Sequence, residues 1–198
     1  VVHTFYYTRV NNLSYTVHYR EQGVDGDAGK LADDKVVDGQ TFGATVNESA
    51  IDIDGFEKVA PTSAQIEITT GTNEHTFYYT RRNNLSYTVH YREQGVDGDA
   101  GKLADDKVVD NKTFGDKITE NAIDIDGFDK VAPTSAEIEI TTGTNEHTFY
   151  YTRRTNLSYT VHYREQGVEG DAGKLAEDKV VDGQTFGTKV RPDRKSVV

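Results

Sequence analysis

The chain has 198 residues, 35% of them hydrophobic and 28% charged, and carries a net charge of -11 from 22 Lys and Arg against 33 Asp and Glu. That length allows one or two ordinary domains, the acidic balance repels phosphate and so opposes a nucleic-acid partner, and no apolar run approaches the roughly 20 residues of a membrane-spanning helix. Without Cys there are no disulfides, zinc-thiolate sites or thiol catalysis; without Met the sequence reads as a piece of a longer chain, so nothing in it speaks against secretion.

The first element is a short stretch at residues 3–9, His-Thr-Phe-Tyr-Tyr-Thr-Arg, which returns at His75 and His147. The next, Leu-Ser-Tyr-Thr-Val-His-Tyr-Arg-Glu-Gln-Gly-Val, begins at Leu13, Leu85 and Leu157, which sets a period of 72 residues. Segments 13–84 and 85–156 differ at ten positions, so they read as recent copies. A unit of this length is large enough to be a small domain of its own, and the repeat predicts an array of such domains. The expected divisions are 1–12, the last strand of a preceding repeat; 13–84 and 85–156, complete repeats; and 157–190, a truncated repeat. Residues 191–198 read as a non-native tail: Asp193-Arg-Lys-Ser-Val-Val198 is the translation of a short-read sequencing adapter, which suggests a metagenomic fragment.

Within a copy, Tyr15, Val17 and Tyr19 alternate with Thr16, His18 and Arg20, a period of two that predicts a half-buried strand. Further strands are expected at 30–37, 55–59 and 65–69, separated by turn-forming Gly, Asp, Pro, Thr and Asn. Only 41–50 has room for a short helix, although Gly43 and its β-branched residues weigh against one. The last strand places Phe77 and Tyr79 on one parity and Thr76, Tyr78 and Thr80 on the other. The expected core is Tyr15, Val17, Tyr19, Leu31, Val36, Phe42, Ile51, Ile53, Phe56, Val59, Ile66, Ile68, Phe77 and Tyr79. Only Arg82, Asn83 and Asn84 separate this strand from the next copy, a junction short enough to predict an elongated array.

The order Tyr15-Thr-Val-His-Tyr, an acidic Gly turn, Lys30-Leu-Ala, Phe42-Gly, Ile53-Asp-Gly-Phe56 and Thr76-Phe-Tyr-Tyr79 resembles the mucin-binding (MucBP-type) repeat of Gram-positive cell-surface proteins. The resemblance covers residues 3–190. It implies a mainly β chain of tandem small β-grasp-like (ubiquitin-like) domains, a place in secreted, wall-anchored adhesins, and no cofactor. The partners it implies are host mucin or other glycoprotein glycans, without membrane insertion, alongside neighbouring repeats of the same chain. A family name by itself does not establish mucin binding, since such repeats can also serve as stalk.

If the first and last strands are sheet neighbours, as the resemblance implies, Tyr78 offers a ring for stacking on a sugar while His18 and Arg20 offer polar contacts. Tyr150, His90 and Arg92 repeat the set, and Arg81 with Arg82 would supply cations for an acidic glycan. The competing reading is that aromatic cross-strand pairs on this face only stabilise the sheet. Asp25 and Asp27, with Asp97 and Asp99, are weak candidates for Ca²⁺, which takes several oxygens from a compact loop. They lack a third carboxylate two residues on, which favours a solvated acidic turn. No other metal site is expected, since His18, His75, His90 and His147 fall at strand positions without a fixed third ligand. No enzyme activity is expected either, because catalytic carboxylates must face each other across a cleft, and copying a unit raises valency rather than improving an active site. Asn12-Leu-Ser and its copies match a glycosylation acceptor pattern that means little in a bacterial protein. A Lys-Asn isopeptide cross-link remains open. Two functions stand against each other: weak multivalent binding to mucin-type glycoprotein, and a passive stalk presenting a distal domain.

Overall fold

The computed structural model describes residues 1–190, so the tail at 191–198 lies outside the described residues. The protein is mainly β and built of several small sheets. Alternation along Leu13–Glu21 (β1) buries Tyr15, Val17, Tyr19 and Glu21 and turns Thr16, His18 and Arg20 outward. Lys35–Gln40 (β2) runs antiparallel to it. Thr45–Ser49 (β3) and Ser63–Glu67 (β5) form an antiparallel pair. Phe56–Lys58 (β4) runs antiparallel to Glu74–Arg81 (β6), and β6 lies parallel to β1, giving the order β2-β1-β6-β4.

Parallel pairing of β1 and β6 needs a long connection, and Asn73 fixes where it ends. Its side-chain amide donates to the Ser14 and Thr69 carbonyls at 3.0 Å each and its oxygen accepts from the Thr69 amide at 2.8 Å. Buried Asn73 thereby sets β6 in register, with Thr76 beside His18 and Tyr78 beside Arg20. The core beneath is Tyr15, Val17, Tyr19, Ala50, Ile66, Ile68, Phe77 and Tyr79.

The same strands return as Leu85–Glu93 (β7), Lys107–Lys112 (β8), Lys117–Asn121 (β9), Phe128–Lys130 (β10), Ser135–Glu139 (β11) and Glu146–Arg153 (β12), with sheet order β10-β12-β7-β8. Where the first copy turns at Gly39 with φ of +72°, the second has Asn111 at +57°; Asn is the other residue type that tolerates this left-handed backbone. Leu157–Arg164 (β13) and Lys174–Gln184 (β14) form a two-stranded hairpin. By contact, the described chain falls into two compact units: 1–87 with 109–117 and 139–145, and 88–108 with 118–138 and 146–190. Segments 109–117 and 139–145 belong to the second copy by sequence and to the first unit by contact.

Several expectations need correction. The segment 41–50 holds no helix: Thr45, Val46 and their neighbours pair with β5, as β-branched residues on a half-buried ladder do. The strand expected at 30–37 starts only at Lys35, with a single bridge from Lys30 to Arg20; Leu31 and Ala32 pack on the core instead, whereas in the third copy Leu175 is exposed and the strand runs unbroken from Lys174. Val36, Phe42 and Ile51 are exposed rather than core; Val37, on the opposite parity to Val36, and Ala50 take the inner positions. Residues 1–12 carry no strand, and Phe5, Tyr6 and Tyr7 are exposed.

Candidate functional site

The outward parity of β1 and β6 forms the floor of a groove, and the loop from Val24 to Asp27 forms its wall. His18, Arg20, Thr76 and Tyr78 line it with Val24, Asp25, Gly26 and Asp27. Tyr78 is 47% exposed between Phe77 at 1% and Tyr79 at 0%, so the strand's alternation presents one aromatic ring to solvent and buries two. Arg20 Nη1 reaches the Gly26 carbonyl at 3.4 Å and so ties the floor to the wall. The second copy has the same groove, lined by His90, Arg92, Thr148 and Tyr150 with Asp97 and Gly98, and Arg92 reaches the Gly98 carbonyl at 3.1 Å.

His18 stands between two carboxylates. Its Nδ1 lies 3.1 Å from Asp34 Oδ1 and its Nε2 lies 3.6 Å from Glu74 Oε2. The Nδ1 and Oδ1 atoms are both buried and face each other. That contact holds the Asp34 carboxyl below the usual carboxylate range against the opposing effect of burial. His90 stands in the same way between Asp106 and Glu146. Asp34 and Glu74 are members of the site that the sequence reading did not single out; Glu74 shares the outward parity of Thr76 and Tyr78 and could have been found by extending the strand by one residue, whereas Asp34 lies outside a strand.

Arg81 is not brought to this groove. It lies on the buried parity of β6, where Nε and Nη2 hold the Glu21 carboxylate at 2.7 and 3.1 Å. Arg82 is exposed and lines a different surface with Asp52, Asp54 and Glu57. Neither cation is therefore available beside Tyr78, and around the groove Arg20 and His18 stand among the carboxylates of Asp25, Asp27, Asp34 and Glu74. Such a surface suits a neutral polyhydroxylated ligand better than an anionic one: sugar hydroxyls can donate to the aspartates and accept from Arg20, and a pyranose face can lie on Tyr78.

Asp25, Asp27 and Asp97 sit on the walls of the two grooves, around short 3-10 turns at Gly26–Gly29 and Gly98–Gly101, while Asp99 lines a separate surface with Lys102 and Asp105. Among the described residues no three His, Asp or Glu side chains gather as a metal site would require. No helix among them is long and apolar enough to cross a membrane.

No family model matches the chain, and no curated protein matches it. The solved structures similar to it include the following two. The Bacillus anthracis TIE protein aligns at 14% identity over 87% of this chain and 44% of its own length, with a TM-score of 0.38. Mub-RV aligns at 12% identity over 72% of this chain and 99% of its own, with a TM-score of 0.26. The chain thus spans less than half the length of the first. Both scores lie below the level of a shared fold, and the chemistry of the groove rests on this chain's own residues.

Proposed function

We propose that this chain is a repeat segment of a bacterial cell-surface adhesin that binds mucin-type or other glycoprotein glycans weakly at each unit and gains avidity from repetition. The observation that carries the reading is the duplicated groove: an exposed tyrosine beside an arginine and a wall of aspartates, built twice from the same cross-strand register. The order of motifs across residues 3–190 supports small β-grasp-like repeats and an extracellular, wall-anchored location on a Gram-positive bacterium. The reading includes no catalysis and no cofactor. Two sites on one chain turn the second binding event into an intramolecular one, which raises overall affinity without any new contact.

The test is binding of the full chain to immobilised mucin and to a glycan array, compared with the variants Tyr78→Ala, Tyr150→Ala and both. Each single change is expected to weaken retention, and the double change to abolish it while circular dichroism stays the same. Equal retention by the double variant and the native chain would remove the groove from the reading.

A second reading, a passive stalk without a ligand, is favoured by a specific observation: both nitrogens of His18 already face carboxylates of the same chain. No retention by the native chain on any glycan surface would select it.

A further inference from the structure

Phe42, Phe114 and Phe186 hold the same place in the repeat, each followed by Gly, yet they do not have the same surroundings. Phe42 is 45% exposed, whereas Phe114 and Phe186 are half-buried. The difference lies in what Phe114 meets. Its ring packs edge-on against Phe56 of the preceding copy, with centroids 5.7 Å apart and planes at 65°. Beneath it lies Gly55, buried and at φ of +79°, where any Cβ would collide with the Phe114 ring. Arg81 closes the other side: its guanidinium stands 5.8 Å from the Phe56 ring centroid and Nη1 donates to the Phe114 carbonyl at 3.3 Å. The Phe114 amide donates to the Arg82 carbonyl at 2.8 Å. Outside this seat, Thr142 Oγ1 donates to the Asp54 carboxylate at 2.8 and 3.1 Å.

The arrangement recurs with Phe186. Its ring packs on Phe128 at 5.6 Å and 66° over Gly127, Arg153 Nη1 donates to its carbonyl at 3.4 Å, and its amide donates to the Arg154 carbonyl at 2.9 Å. Arg81 and Arg153 are each held in place by a buried glutamate, Glu21 and Glu93. Both seats have the sequence Ile-Asp-Gly-Phe, at 53–56 and 125–128, with Arg-Arg at 81–82 and 153–154.

Phe42 shows the backbone half of this contact alone. Its amide donates to the Val10 carbonyl at 2.8 Å, and Arg9 Nη1 reaches the Phe42 carbonyl at 3.5 Å. Among the described residues no aromatic ring lies under it.

We propose that this contact is the joint by which one repeat recognises the next, and that Phe42 is a docking surface for the Ile-Asp-Gly-Phe seat of one further copy of the same repeat. The occupant is named by the chain itself, since the equivalent phenylalanine is seated twice on identical sequence. Aromatic packing over a glycine that accepts no side chain makes the joint selective for this repeat, and the arginine adds a cation over the ring. The joint is independent of any ligand in the groove.

The chain has no Trp, so a single substitution gives a unique fluorophore. The experiment places Trp at the seated position (Phe114→Trp) or the free one (Phe42→Trp) in the full chain, and measures acrylamide quenching. Phe42→Trp is then examined in a chain carrying Val1→Asn and Val2→Glu and extended at its start by a copy of residues 13–72, which completes a preceding repeat. The expected result is several-fold weaker quenching for Phe114→Trp than for Phe42→Trp, and a fall for Phe42→Trp to the seated value on extension. Equal quenching at 42 and 114, or no change at 42 on extension, overturns the proposal. Where Trp is too large for the seat, the ring-proton chemical shifts of Phe42, with Phe retained, read the same event: they move on extension if the ring docks on the seat's aromatic ring, and unchanged shifts overturn the proposal.

Discussion

Glu48 is one of the few buried carboxylates, and it is kept charged by its partners. Lys35 Nζ lies 2.7 Å from Oε1, and the Tyr15 hydroxyl donates to the same atom. Burial pushes this carboxyl up, and the hydrogen bonds from Lys35 and Tyr15 outweigh burial and bring it below the usual carboxylate range. Asp34 is lowered as well, by its contact with His18. A group with a folded pKa below its unfolded value contributes stability that is fully present above the unfolded value, about 4. The contribution is lost as pH falls through the folded value. Urea midpoints of the native chain should therefore decline on acidification below about pH 4, and Glu48→Gln should make that decline shallower. A Glu48→Gln profile parallel to the native one would show that Glu48 does not carry it. Glu48→Ala should cost about 1–3 kcal/mol at neutral pH, the usual penalty for leaving a buried hydroxyl such as that of Tyr15 without its acceptor.

At the scale of the element, β6 separates packing from presentation within three residues. Phe77 and Tyr79 are the core side at 1% and 0% exposure, Tyr79 also donating to the Ile51 carbonyl at 3.0 Å, while Tyr78 between them faces solvent. Phe77→Ala should therefore cost about 3–5 kcal/mol, the transfer and cavity terms of a buried aromatic. Tyr78→Ala should stay within about 1 kcal/mol, as exposed substitutions do. Urea denaturation of both variants checks the pair, and comparable losses would mean that the face assignment is wrong. The alternation that makes this contrast was readable in Thr-Phe-Tyr-Tyr alone, because side chains on a strand must change face at every residue. The start of β2 was not, since Lys-Leu-Ala reads as strand and is strand at Lys174, while Leu31 and Ala32 pack on the core of a complete copy.

For the whole molecule, identical sequence in different company gives different burial. Leu-Ser-Tyr-Thr-Val-His-Tyr-Arg occurs three times, yet Tyr19 is 2% exposed and its third equivalent, Tyr163, is 39% exposed. The difference is the neighbour: β1 lies between β2 and β6, whereas β13 pairs with β14 alone. A two-stranded ribbon is marginal by itself, and the free edge of β13 offers unpaired backbone groups. Amide exchange should accordingly be faster at 157–190 than in the two complete copies, and sedimentation should show concentration-dependent association through strand addition. Protection there equal to that of 85–156 in a chain shown to be monomeric would contradict this.

By itself the sequence determined the repeat, the strand character of its segments and the parity of each strand, because these follow from local periodicity and turn-forming residues. It also pointed to Tyr78 as the exposed ring. Only the tertiary structure decided which residues meet across long separations: His18 with Asp34 and Glu74, Arg81 with Glu21 instead of the groove, and Phe114 on Phe56. Phe42 shows the reason. Its hydrophobicity predicts a core position, since hydrophobicity records that a side chain gains from burial and leaves open which surface buries it. The answer came from the packing of successive copies, which seats Phe114 and Phe186 on the preceding repeat and leaves Phe42 at 45% exposure.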